Sequence, residues 1–202
     1  MDPQQGIVCS FTNAHATFST ECPDYNLDIA TQRTDDTIPL APNEISHRIS
    51  ADAFERLRME QNLPLAIGAG IAVSLLGSIL WAAISIATGY QIGYMAVAIG
   101  AGVGFIIRIA GNGVDPIFGY SGALIAVLGC VFGNFFSIIG FYADSEGLNY
   151  FETLFAFDYS YFIDVMTETF SIMDLLFYGI AGYEGYRFAF RQLTDKDLAN
   201  LT

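Results

Sequence analysis

LPLAIGAGIAVSLLGSILWAAISIATGYQIGYMAVAIGAGVGFII, residues 63–107, runs for 45 residues without one charged side chain. A hydrocarbon core is about 30 Å thick and a helix rises ~1.5 Å per residue, so about 20 apolar residues cross it. This stretch holds two such lengths, parted by the tight turn Thr88-Gly89-Tyr90-Gln91. Tyr90 and Tyr94 suit the aromatic belt of a membrane–water interface. Spans are therefore predicted over about 64–88 and 92–110, with Pro64 in a first helical turn, where its missing N–H costs nothing.

Downstream, Gly111-Asn112-Gly113-Val114-Asp115-Pro116 is a break, and a third span is predicted over 117–143. Upstream, residues 44–62 place Ile45, Ile49, Ala53 and Leu57 at four-residue intervals with Phe54 beside them. That spacing predicts an amphipathic juxtamembrane helix whose Arg48, Arg56 and Arg58 lie near anionic headgroups. Residues 1–43 carry four prolines and no sustained period, and read as an acidic, mobile cytoplasmic tail.

A fourth span, over 171–190, follows from charge. It interrupts its apolar run with Asp174 and Glu184, and Ser171-Ile172-Met173-Asp174 has the form of a capping box at its start. The eight basic residues fall before the first span (Arg33, Arg48, Arg56, Arg58), at the second link (Arg108), or after Glu184 (Arg187, Arg191, Lys196). The stretch 144–174 holds seven acids and no Lys or Arg. Cytoplasmic loops are the Lys- and Arg-rich ones, so the pattern predicts four crossings with both termini inside. The expected fold is all-α: a four-helix membrane domain over 63–192, an outer loop over 144–170, and a cytoplasmic tail over 193–202.

Composition excludes several functions. The chain is 53% hydrophobic and 14% charged, against roughly 25% charged in soluble domains. A net charge of -13 leaves no basic face for nucleic acid. Three cysteines without a CxxC pair argue against a disulfide scaffold. Cys9, His15 and Cys22 lack a fourth ligand and paired spacing, so no metal and no cofactor are expected. The polar N-terminus has no cleavable signal, so the first span is expected to direct insertion. GxSxG, HExxH and Cys/His pairs are absent, and both histidines, His15 and His47, lie ahead of the predicted spans. The Asn200-Leu201-Thr202 sequon falls on the end expected in the cytoplasm.

Small residues recur every four positions in each predicted span. Ala66, Gly70, Ser74, Ser78 and Ala82 mark the first, Ala96, Gly100 and Gly104 the second, and Gly122, Ala126, Cys130 and Asn134 the third. Such stripes let helix backbones approach closely; the alternative is a path lined by small side chains. Asn134 is expected to face the bundle interior, as interhelical glue or as part of an ion path. Arg108 is expected to snorkel, with Asp115 or Glu184 as a partner. Glu184 reads either as a proton or cation site or as an interfacial acid paired with Arg187.

The outer loop interleaves Phe and Tyr with Glu152, Asp158, Asp164 and Glu168. Asp164 and Glu168 share a helix face, with Phe155, Tyr159 and Phe162 roughly opposite. A cation-collecting vestibule, a docking surface and an interfacial or re-entrant helix all fit this pattern. It has no EF-hand spacing.

GYQIGYMAVAIGAGVGFIIR, GALIAVLGCVFGNFFSIIGF and MDLLFYGIAGYEGYRF, within residues 64–190, together resemble a group of small bacterial membrane proteins of unassigned function. The resemblance implies a helical bundle in a bacterial inner membrane and brings no activity. Some of that group carry a zinc-ribbon-like segment with paired cysteines before the spans, a pattern Cys9 and Cys22 do not match. The expected function is that of a non-enzymatic inner-membrane protein, embedded in the lipid bilayer, that forms a homo-oligomer or anchors a membrane complex. Residues 1–43 would meet a cytoplasmic partner. The alternative is a cation or proton channel or transporter using the outer-loop acids, Asn134 and Glu184.

Overall fold

The computed structural model describes residues 50–193, and every regular element among them is helical. In chain order these are α1 (Ala51–Met59), α2 (Leu63–Thr88), α3 (Tyr94–Gly111), α4 (Pro116–Glu146), α5 (Tyr150–Ala156), a 3-10 turn (Tyr159–Tyr161), α6 (Phe162–Thr169) and α7 (Ile172–Phe188). Three of them, α2, α3 and α4, are long and apolar enough to cross a membrane.

Local chemistry sets the ends. Asn62 Oδ1 accepts from the Leu65 N–H at 3.0 Å, and Pro64 occupies the first turn of α2. Gly89 ends α2 at φ 70°, a left-handed conformation that glycine adopts without a Cβ penalty. Asn112 closes α3 at φ 48°. At α7 the Ser171 N–H donates to Asp174 Oδ2 at 2.8 Å and the Asp174 N–H to Ser171 Oγ at 3.4 Å, the reciprocal box its spacing predicts.

Several boundaries differ from the sequence reading. The third helix is longer than 117–143 because Pro116 serves as its first residue and the chain stays helical to Glu146. Residues expected at the start of a loop thus form its last turn. The juxtamembrane helix is described only over nine residues, with Ala53 and Leu57 buried as their spacing predicts; Ile45, Arg48 and Ile49 lie outside the described residues. So do the 1–43 tail, the Cys9–His15–Cys22 set and the Asn200 sequon.

The 144–170 connection is not one helix. Phe157 is extended (φ -62°, ψ 132°) and ends α5, so Phe155 and Tyr159 do not share a helix with Asp164 and Glu168. Instead the connection folds back along α4. The Phe135 ring meets those of Phe157 at 5.3 Å, Tyr159 at 6.2 Å and Phe162 at 4.9 Å. Phe135 precedes Glu146 by eleven residues, so the aromatic cluster sits ~16 Å back from the end of α4.

α4 is the centre of the bundle. It packs on α2, α3 and α7, while α2 leaves Leu76, Ile79 and Leu80 largely exposed on its far side. α7 has 17 residues and packs on α3 and α4. Its buried side chains, Tyr178 and Ala181, belong to the same core as Ala96, Val103 and Ala126.

Candidate functional site

Three groups of residues carry the polar and steric chemistry of the bundle. The first lies inside it. Asn134 is 1% exposed on α4. Its Oδ1 accepts from Gln91 Nε2, and its Nδ2 donates to the Tyr178 hydroxyl at 3.1 Å. One carboxamide thereby joins the α2–α3 link, α4 and α7. Two serines do similar work between α2 and α4. Ser74 donates to the Ile125 carbonyl at 3.1 Å, and Ser78 to the Gly129 carbonyl at 2.7 Å. In hydrocarbon an unmade hydrogen bond is costly, so these closures matter.

The second group is steric. Gly185 on α7 meets two helices through one peptide unit. A Cβ added at Gly185 would stand 2.6 Å from the Gly122 carbonyl oxygen of α4, and one added at Gly104 of α3 would stand 2.9 Å from the Gly185 oxygen. Gly100 likewise faces the Ala181 backbone. Gly70, Ser74 and Ser78 are buried on α2, Gly100 and Gly104 on α3, and Gly122 and Ala126 on α4. The small-residue stripes are therefore the packing seams of the bundle itself.

The third group ties the α1 end together. Arg58 Nε donates to Asp115 Oδ2 at 3.0 Å and Gln61 Nε2 to the same oxygen at 3.1 Å. Arg191 Nη1 reaches Glu60 Oε2 at 2.5 Å, and its backbone N–H donates to the Gly113 carbonyl at 2.8 Å. The Asn62 N–H donates to the Gly111 carbonyl at 2.9 Å. α1, the α3–α4 link and the chain after α7 thus form one clasp.

This geometry corrects the pairings expected of Arg108 and Glu184. Asp115 belongs to Arg58 and Gln61, while the Arg108 guanidinium lies 4.6 Å over the Phe105 ring. Arg187 lies 5.9 Å over Phe188. Half-buried Glu184 makes no ion pair with any described residue, Arg187 included. Asn134, Glu184, Arg108 and Asp115 do not converge: Asp115, the N-cap of α4, precedes Asn134 by nineteen residues, ~28 Å by helical rise.

Glu152, Asp158, Asp164 and Glu168 are all exposed. Asp164 and Glu168 lie one turn apart on α6, as their spacing predicts. Phe162 and Met166 turn inward to form, with Val127, Val131 and Tyr178, an apolar groove over α4 and α7. Hydrogen bonds from Ser160, side chain first and backbone N–H second, hold the Asp158 carboxyl below its ordinary range. Burial, then the neighbouring Tyr159, pushes the Tyr150 hydroxyl up. Among the described residues no three His, Cys, Asp or Glu side chains gather where they could hold a metal.

Sequence reasoning missed Gln91, Tyr178 and Gly185. Gln91 carried the available signal, as the one amide in an otherwise apolar link.

The fold and its buried polar contacts define an all-helical protein with three helices able to span a membrane. No family model, curated protein or solved structure matches the chain.

Proposed function

We propose that this protein is a non-enzymatic, four-crossing membrane protein that anchors a larger assembly in the bilayer and presents residues 1–43 to a cytoplasmic partner. The observation that carries this reading is that most of the bundle's buried polar side chains close on partners within it, with Trp81 Nε1 and Ser85 Oγ the exceptions among the described residues. Gln91, Asn134 and Tyr178 bond to one another, and Ser74 and Ser78 bond to carbonyls of α4, instead of facing a shared path. The clasp through Asp115 supports it by fixing α1 to the bundle.

The fourth crossing is α7. It is one residue shorter than α3, ~26 Å long, and Gly100 with Ala181 and Gly104 with Gly185 run it parallel to α3. With Arg187 in its last turn and Arg191 and Lys196 after it, the distribution of basic residues supports both termini on the cytoplasmic side. The resemblance noted above favours a bacterial inner membrane. A homo-oligomer is compatible with the apolar side of α2, with leucines at 75, 76 and 80.

Affinity capture from native membranes tests the proposal. A partner retained by the full chain and lost on deleting residues 1–43, with no ion flux in liposomes, is the expected result. Flux through the full chain that is abolished by Glu184→Gln, with the bundle still folded, would replace anchoring with conduction of a proton or cation. The half-buried Glu184, without an ion pair among the described residues, is the observation that favours this second reading.

A further inference from the structure

We infer that the ends of α3 and α7 form a binding site for the phosphodiester headgroup of an anionic phospholipid, held by Arg108 and Arg187. Each arginine lies in the last turn of its helix. Because Gly100 meets Ala181 and Gly104 meets Gly185, the two helices run parallel with an offset of 81 residues. Arg108 is then level with Ala189, two residues or ~3 Å beyond Arg187. The Phe188 Cβ stands 2.8 Å from where a Cβ on Gly104 would be. Both guanidiniums thus flank one seam, within a turn of Phe188.

Neither has a carboxylate partner among the described residues. Each lies over a phenylalanine ring instead, Arg108 on Phe105 and Arg187 on Phe188, which holds the planar group and leaves its N–H edges to an anion. The other charge on this seam is half-buried Glu184, one turn back along α7. Two arginines and one glutamate sum to a single positive charge, the complement of one phosphodiester. Phe105 and Ile109, 50% and 55% exposed, extend the same face of α3 as an apolar surface for an acyl chain. That surface selects a lipid over free phosphate.

The test uses the full-length protein in nanodiscs of equal phosphatidylglycerol and phosphatidylcholine, with co-retained lipid counted by native mass spectrometry. The full chain is expected to retain phosphatidylglycerol selectively. Near a membrane surface each arginine contributes about a fivefold preference, so R108Q or R187Q should cut retention about fivefold and the pair roughly twenty-five-fold. Raising salt from 0.05 to 0.5 M should weaken retention by the unaltered protein, an arm that needs no variant to fold. Equal retention by the double variant, indifference to salt, or complete displacement by millimolar inorganic phosphate would each overturn the inference.

Discussion

Gly185→Ala tests the steric centre of the bundle directly. The new Cβ would stand 2.6 Å from the Gly122 carbonyl oxygen and 3.0 Å from the Ala126 Cβ, where ordinary contact begins at 3.4 Å. The first obstacle is backbone, which no rotamer change can move, so α7 and α4 must part by about 0.8 Å. A gap of that size forfeits roughly a quarter to a half of each dispersion contact along the seam, and overpacking of this kind costs about 1–3 kcal/mol. Alanine's better helix propensity returns at most about 1 kcal/mol. The net expectation is a loss of about 1–2 kcal/mol, some five- to thirtyfold in the unfolding equilibrium. Unfolding in mixed micelles of rising dodecyl sulfate measures it, read by helix content and by the fluorescence of Trp81, the sole tryptophan, which is 2% exposed and faces Gly133. Gly179→Ala, with open space around its added Cβ, is the control and should be neutral or slightly stabilising. The reasoning fails if Gly185→Ala stays within about 0.5 kcal/mol of the unaltered protein, or if the two substitutions cost the same.

Other predictions follow from the polar contacts and the charge map. Asn134→Leu leaves Gln91 and Tyr178 without their shared partner and should cost about 1–2 kcal/mol in the same unfolding assay; Tyr178→Phe should cost less, and the double variant less than the sum. Because the folded Asp158 carboxyl is held below its ordinary value of 3.8, its bond to the Ser160 N–H should persist above that value and fail as pH falls through the lowered one. A loss of protection at the Ser160 amide on acidification, taken relative to the intrinsic exchange rate at each pH and absent in Asp158→Ala, which lacks the bond at any pH, checks this. Reporters fused after Thr202 and inserted at Gly147, a turn residue at φ 65°, should lie on opposite sides of the membrane. The same side for both would remove α7 as a crossing.

Much of the architecture was legible in the chain because it rests on local quantities. The uncharged run 63–107, broken at Gly89, needed only length and hydropathy to be read as two helices, and the Gly111–Pro116 break separated the third. Capping at Asn62, Ser171 and Asp174 is likewise local, involving residues three apart. Four-residue stripes showed which face of each helix is small, and those faces are the buried ones.

Partner choice was not legible. Periodicity fixes the direction in which Asn134 points, but Gln91 and Tyr178 lie 43 and 44 residues away, and nothing local links them. Asp115 offered a nearby arginine at 108, yet α1 brings Arg58 from 57 residues away to the same carboxylate. The 144–170 connection shows the limit most clearly. Its aromatic and acidic alternation suggested one two-faced helix, whereas the Phe135 ring gathers Phe157, Tyr159 and Phe162 across a break. Ring contacts with Phe135, made by half-buried Phe157 and Phe162 and by exposed Tyr159, replace the continuation of a short helix whose exposed turns gain little. The sequence by itself determined that the long helices exist, roughly where each lies and which faces of the three apolar ones are small. Only the tertiary structure decided which faces meet, because that depends on the simultaneous fit of backbones at Gly104, Gly122 and Gly185, a condition on three helices at once.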